Sequence, residues 1–179
     1  MKFHETPLSG LYLVELEALN DERGFFARSF CVQEFDRLGL ESTVAQCNIS
    51  FNAKKGTLRG LHFQTTPHEE AKLVRCTQGA IYDVAVDIRP DSPTYLEWFA
   101  VELTADNHRS IFIPHGFAHG FQTLADSSEV LYIMSEFFHP ESARGLRWDD
   151  PAIGISWPLK NPIMSNKDRS YPLLERSIK

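Results

Sequence analysis

Two short stretches, Arg59-Gly60-Leu61-His62-Phe63-Gln64 and Pro114-His115-Gly116-Phe117-Ala118-His119-Gly120-Phe121, hold three of the chain's seven histidines. Each sets an imidazole among glycines, aromatics and aliphatics with almost no acidic neighbour, the setting of a histidine that faces an enclosed pocket rather than water. The chemistry within reach of such residues is proton transfer, and the place for it is an active site lined by sheet.

The elements that must position these residues are short and β-rich. Runs with strand character, separated by turn residues, predict strands over Leu11 to Glu17, Thr43 to Asn48, Thr57 to Phe63, Leu73 to Thr77, Ala80 to Ile88, Glu97 to Leu103, Ser110 to Ile113, Phe121 to Leu124 and Glu129 to Phe137. Nine short strands imply a sandwich or barrel. Cys31 to Gly39 has apolar residues at helical spacing and a closing glycine, which predicts a short helix packed across the sheet. The C-terminal third, with Pro151, Pro158, Pro162 and Pro172, reads as coil with short turns. Ala80 to Ile88 alternates clearly, with Tyr82, Val84, Val86 and Ile88 on one face and Ile81, Asp83, Ala85 and Asp87 on the other. The carboxylate face is expected to be a solvated outer face. The alternative is a polar barrel interior, in which Lys72 and Arg75 pair with the two aspartates across a hairpin.

Composition narrows the classes. A chain of 179 residues with 42% hydrophobic content supplies one well-cored domain, residues 1–179, with little left for a second. No apolar run approaches the roughly 20 residues that span a bilayer, and Met1 to Thr6 lacks the apolar stretch of a secretory signal, so a cytoplasmic protein without membrane association is expected. Cys31, Cys47 and Cys76 fit neither a disulfide framework nor a Cys-x-x-Cys motif and read as reduced thiols. A formal charge of -6 argues against a nucleic-acid surface, so an anionic ligand would need a local basic cluster.

From about Gly10 to Lys167 the chain resembles the nucleotide-sugar 3,5-epimerases typified by dTDP-4-dehydrorhamnose 3,5-epimerase. The landmarks are Asp21-Glu22-Arg23-Gly24-Phe25-Phe26, Gln46-Cys47-Asn48, Leu58-Arg59-Gly60-Leu61-His62, Lys72-Leu73-Val74-Arg75, Asp83-Val84-Ala85-Val86-Asp87, Ser92-Pro93-Thr94, Ile113 to Phe121 and Asp149-Asp150-Pro151. The resemblance implies a mainly β, cupin-type jelly roll with a few short helices. It also implies a homodimer, with no metal or other cofactor, that inverts C3 and C5 of a nucleoside-diphosphate 4-keto-6-deoxy-hexose through an enolate.

That reaction needs a base, a stabiliser of the enolate oxygen and an acid on the opposite face of the sugar ring. By the resemblance, His62 is the base and Asp168 its carboxylate partner, Lys72 stands near the keto oxygen, and Tyr132 is the acid. His119 contacts substrate. Arg23, Arg59 and Lys167 are the candidates for the phosphates, with Gln46 and Asn48 as neutral partners and Phe26 as an aromatic against the base or sugar. His115 receives no role.

Strict alternation along a strand would put Arg59 and His62 on opposite faces. Both serve one site only if Gly60 permits a bulge or a dimer partner contributes. The resemblance also implies that an N-terminal segment reaches the neighbouring protomer's site, in which case Arg23 or Phe26 serves the partner's pocket. The chain departs from the family pattern at Arg28 and Ala143, where glutamate is common, and at Phe138, where tyrosine is common. These changes leave a cytidine-linked sugar, or inversion at one carbon only, as alternatives. A metal cupin using His62, His115 and His119 lacks the usual His-x-His pair, since Gln64 stands two residues past His62. A noncatalytic sugar-nucleotide-binding protein is a third class.

Overall fold

Residues 1–174 are described by the computed structural model of the protein. One antiparallel sheet has six strands in the order β1 (Lys2–Glu5), β2 (Tyr12–Glu15), β10 (Ser110–Ile113), β7 (Lys72–Gln78), β12 (Ser128–Met134) and β5 (Gln46–Asn52). A second has five, in the order β13 (Ala143–Gly145), β6 (Leu58–Gln64), β11 (Phe117–Thr123), β8 (Ala80–Asp87) and β9 (Trp98–Thr104). A separate hairpin joins β3 (Leu19–Asp21) to β4 (Gly24–Phe26). The two large sheets enclose one core, to which the first contributes Val74, Cys76, Ile111, Ile113 and Val130 and the second Ile81, Ala85, Leu103, Phe117 and Phe121. This is a cupin-type jelly roll, as the resemblance implied.

All nine expected strands are present, β10 with the expected bounds and the others with shifted ends. β5 ends at Asn52 rather than Asn48, and β11 begins at Phe117 rather than Phe121 and is buried along its whole length. A strand covered on both faces carries no polar alternation, and Gly116 and Gly120 further mask its start. The sequence reading also passed over β1, β3, β4 and β13, which have three or four residues each. Such segments hold too few residues to show a period.

The outer face of the five-stranded sheet is covered and that of the six-stranded sheet is covered in part, with Ile49 and Phe51 of β5 left exposed. The expected helix is α1 (Val32–Asp36), and its Phe35 lies edge-on to Phe3 at 5.2 Å and to Phe112 at 5.5 Å. Gly39, at φ +66°, takes the left-handed conformation that ends the turn, with Leu40 N–H donating to Phe35 O. On the five-stranded sheet, Val84, Val86, Leu61 and Ala118 pack beneath Leu146, Ile153 and Trp157. The proline-rich C-terminal third therefore lids that sheet, and within it α2 (Asn166–Arg169) forms a single turn.

The assignment of the β8 faces needs correction. Tyr82, Val84 and Val86 lie under the C-terminal layer, while Ile81 and Ala85 enter the core between the sheets and Asp83 and Asp87 are fully buried. The carboxylate face is interior because each carboxylate has partners. Asp83 meets His119, and Asp87 accepts from Arg89, Ser92 and Thr94. Neither pairs with Lys72, which is joined to Glu70, or with Arg75, which reaches His108. Among the described residues no helix is long and apolar enough to cross a membrane.

Candidate active site

Between the sheets lies a cavity of about 500 Å³. β6 and β11 of the five-stranded sheet bring Arg59, His62 and His119 to it, and β5, β7 and β12 of the six-stranded sheet bring Gln46, Asn48, Lys72 and Tyr132. Lys167, on α2, completes the list of expected residues that line it. Its basic side chains are Arg59, Lys72, Arg144 and Lys167, against the carboxylates Glu70 and Glu136. This is the local basic cluster that an acidic chain needs for an anionic ligand.

Arg59 and His62 share the cavity because β6 carries a bulge. His62 pairs with His119 and Arg59 with Phe121, so three steps on β6 match two on β11. Gly60 sits at φ +126°, and a Cβ there would stand 2.6 Å from Gly120 Cα and 2.8 Å from His119 O. A Cβ on Gly120 would stand 2.7 Å from Arg59 O. Glycine at both positions lets the backbones approach, and the extra residue returns His62 to the face that Arg59 occupies.

His62 Nε2 lies 2.8 Å from Asp168 Oδ1, with the imidazole about half exposed and the carboxylate buried. Ser165 sets this contact. Its hydroxyl accepts from Asp168 N–H at 3.0 Å and caps α2, so the carboxylate is carried on a fixed turn. Burial pushes the Asp168 carboxyl upward. The hydrogen bond and charge of His62, with donation from Gly60 N–H and Ser165, outweigh burial and hold it below its usual range. The pattern Ser165-x-x-Asp168 is a helix-start signal that could have revealed α2.

Lys72 is buried. Its Nζ stands 3.0 Å from Glu70 Oε1 and donates to His62 O at 3.2 Å, leaving one of three ammonium hydrogens for a ligand oxygen in the cavity. Tyr132, across the cavity from β6, packs edge-on to His119 at 6.1 Å. Burial raises its phenol far above the usual tyrosine value and the charge of Asp83 adds to this, while Arg59 and Ser50 act in the opposite direction. It therefore stays protonated near neutrality. His119 Nε2 lies 2.9 and 3.1 Å from the two oxygens of Asp83, deep in the core.

The remaining expected residues lie elsewhere. Arg23 and Phe26 are on the exposed β3–β4 hairpin, where Arg23 pairs with Asp21, and neither lines the cavity of this chain. His115 meets Ser135 Oγ at 3.3 Å, outside the lining. Of the three departures, Phe138 and Ala143 line the cavity, whereas Arg28 is joined to Glu34 at 2.9 Å. Glu70, Ser50, Phe137 and Tyr171 in the lining had no signal in the sequence, and Asp83, noted there only as part of a carboxylate face, stands behind the lining as the partner of His119. The Tyr171 ring fits because position 145 is glycine, where a Cβ would meet it at 2.2 Å.

Among the described residues the donor arrangement at the cavity does not suit a metal. His62 and His119 commit their Nε2 atoms to separate carboxylates, and His115 stands apart. His68, Glu136 and His139 bring ligand atoms within 4.8 Å of one another at the rim. The two imidazoles stack face to face at 3.5 Å and 10°, so their in-plane lone pairs run parallel rather than converging on one ion.

Residues 5–176 match the family described as dTDP-4-dehydrorhamnose 3,5-epimerase. The dTDP-4-dehydrorhamnose 3,5-epimerase of Methanothermobacter thermautotrophicus is 46% identical over 181 residues, covering 99% of this chain and 97% of the relative. The chain belongs to the dTDP-4-dehydrorhamnose 3,5-epimerase family. As a member it is an isomerase of the epimerase type. The crystal structure of the Bacillus anthracis enzyme with TDP and pyrophosphate bound superposes with a TM-score of 0.93 at 44% identity, covering 97% of this chain and 99% of that one. That of the Legionella pneumophila epimerase in complex with dTDP-4-keto-L-rhamnose gives 0.91 at 38% identity, covering 98% and 94%.

Proposed function

We propose that the chain inverts C3 and C5 of dTDP-4-keto-6-deoxy-glucose, giving dTDP-4-keto-rhamnose, with His62, Lys72, Tyr132 and Asp168 as the reacting set. The observation that carries this reading is the origin of His62 and Tyr132 from opposite sheets across one cavity. Inversion requires removal of a proton from one face of the ring and its return to the other. His62 takes the α-proton, forming an imidazolium beside Asp168, and the C–H electron pair moves into the enolate. Lys72 donates to the enolate oxygen, a contact worth about 10²–10³-fold in rate for a well-placed donor. Tyr132 protonates the carbon from the opposite face, and the imidazolium and phenolate then recover their starting states by proton exchange. The sequence repeats at the second carbon.

Arg59 and Lys167 supply charge for the diphosphate, and Gln46, Asn48 and His119 supply hydrogen bonds. A homodimer in which the β3–β4 hairpin of one protomer enters the cavity of its partner would bring Arg23 and Phe26 to substrate. Their exposure on a hairpin detached from both large sheets supports that placement. We take residues 1–179 as one catalytic domain working in the cytoplasm without a cofactor.

Proton NMR of dTDP-4-keto-6-deoxy-glucose in deuterium oxide tests the reading. Exchange at both C3 and C5, abolished by His62→Ala with nucleotide binding kept, is the expected result. Unchanged exchange in that variant rejects His62 as base. Ala143 and Phe138 in the lining favour, as a second reading, a changed nucleoside or inversion at one carbon. Exchange confined to one position, or seen only with a cytidine-linked sugar, would select it.

A further inference from the structure

The least explained group in the cavity wall is the Glu70 carboxylate. It is buried, and neither proton transfer nor phosphate binding uses it. An acidic side chain in the lining of an anion site works against the ligand's charge, so its presence calls for a specific partner. Glu70 has two. Oε1 stands 3.0 Å from Lys72 Nζ, with both side chains about 6% exposed, and Oε2 accepts from Gln64 N–H at 3.1 Å.

We propose that Glu70 is the positioning residue of Lys72, fixing the direction of its ammonium group toward the keto oxygen of the substrate. The proposal rests on the assignment of Lys72 to that oxygen. The lysine side chain is long and flexible, and its ammonium rotates freely unless its hydrogens are engaged. Here Glu70 engages one and the carbonyl of His62 a second, so the third has a defined direction. The acceptor is itself held, because Gln64 N–H, within β6 and two residues past His62, fixes Glu70 Oε2. Base and oxyanion donor are thereby tied to one strand: His62 by its own backbone, and Lys72 through the His62 carbonyl and the Gln64–Glu70 bond. Such preorganisation raises rate without tightening substrate, because a donor already aimed loses no orientational freedom when the enolate forms.

The role is separable from simple structural support by kinetics. In deuterium exchange at C3 and C5, Glu70→Ala should lower kcat by about 100-fold, the scale of a roughly 1 Å misplacement, with KM within about twofold of the parent. Glu70→Gln keeps an acceptor oxygen at the same reach and should recover kcat to within about tenfold of the parent. Because the two residues act as one unit, Glu70→Ala in a Lys72→Ala background should cost no more than about twofold beyond Lys72→Ala alone. Thermal denaturation and calorimetric titration with dTDP establish that each variant is folded and binds nucleotide. Should Glu70→Ala not fold, Glu70→Met fills the buried volume without an acceptor and carries the same expectations. A kcat within about threefold of the parent in the acceptor-free variant, or a double variant showing the product of the two single losses, overturns the proposal. If Lys72→Ala itself keeps full kcat, the assignment of Lys72 fails. If Lys72→Ala is impaired and Glu70→Ala is not, only the role of Glu70 fails.

Discussion

Replacing Asp168 by Asn removes a charge while keeping size and a hydrogen-bonding oxygen, so it isolates what the carboxylate does for the imidazolium. The contact of 2.8 Å sets the scale. Two unit charges at that distance attract by about 1.5 kcal/mol at the dielectric of water and about 6 kcal/mol at an effective value of 20. The His62 side chain is 45% exposed and Asp168 is 8% exposed, so an intermediate value applies. About 3 kcal/mol, or roughly 150-fold, is the expected loss in the rate of proton removal. The assay is the initial rate of C3 and C5 deuterium exchange under saturating substrate, with dTDP affinity measured separately. The variant should bind nucleotide as the parent does and exchange about two orders of magnitude more slowly at both carbons. A loss below about threefold would show that the imidazolium does not depend on this charge, and the base assignment would then lack its support. The same pair has a sign in stability. Asp168 is held below its ordinary value of 3.8 in the folded chain, so its contribution is present above the unfolded value and disappears as pH falls. The Asn variant should lose less stability on acidification than the parent.

Three other perturbations probe different links. Tyr132→Phe should leave deuterium uptake less impaired than net inversion, giving return of label to the original face; NMR of the product configuration checks this, and equal loss of both steps counts against an acid role. Gly60→Ala places a Cβ 2.6 Å from Gly120 Cα at φ +126°, which should cost about 2–4 kcal/mol and lower Tm by about 5–15 °C. A Tm within 2 °C of the parent, on that same scale, would show that the bulge accepts a side chain. For buried Asp87, burial alone would raise the carboxyl, but donors from Arg89, Ser92 and Thr94 bring it down to about 2 from 3.8. That difference corresponds to roughly 2–3 kcal/mol of stability, present above about pH 4 and lost as pH falls toward 2. Urea unfolding across that range should be flatter for Asp87→Asn, and an unchanged slope would remove the role of the carboxylate.

What the amino-acid order determined by itself was local. Strand-forming runs between turn residues marked nine strands, the spacing around Phe35 with a closing Gly39 marked α1, and motif residues marked His62, Lys72, Tyr132 and Lys167, which the structure brings into one cavity. The strands and α1 depend on neighbours within a few residues, which are visible in one dimension, whereas the site residues were marked by the resemblance of their motifs to the family. Tertiary structure decided the rest. Alternation in β8 separated two faces but could not say which was interior, since an aspartate is tolerated inside only with a partner. The partner of Asp83 is His119, 36 residues away. Alternation likewise placed Arg59 and His62 on opposite faces until contact between Gly60 and Gly120 required a bulge. Glu70 had no signature, because its function arises from a buried contact with Lys72 that only the packed sheets create. Long-range pairing fixes which polar groups are satisfied, and that satisfaction decides which face can be buried.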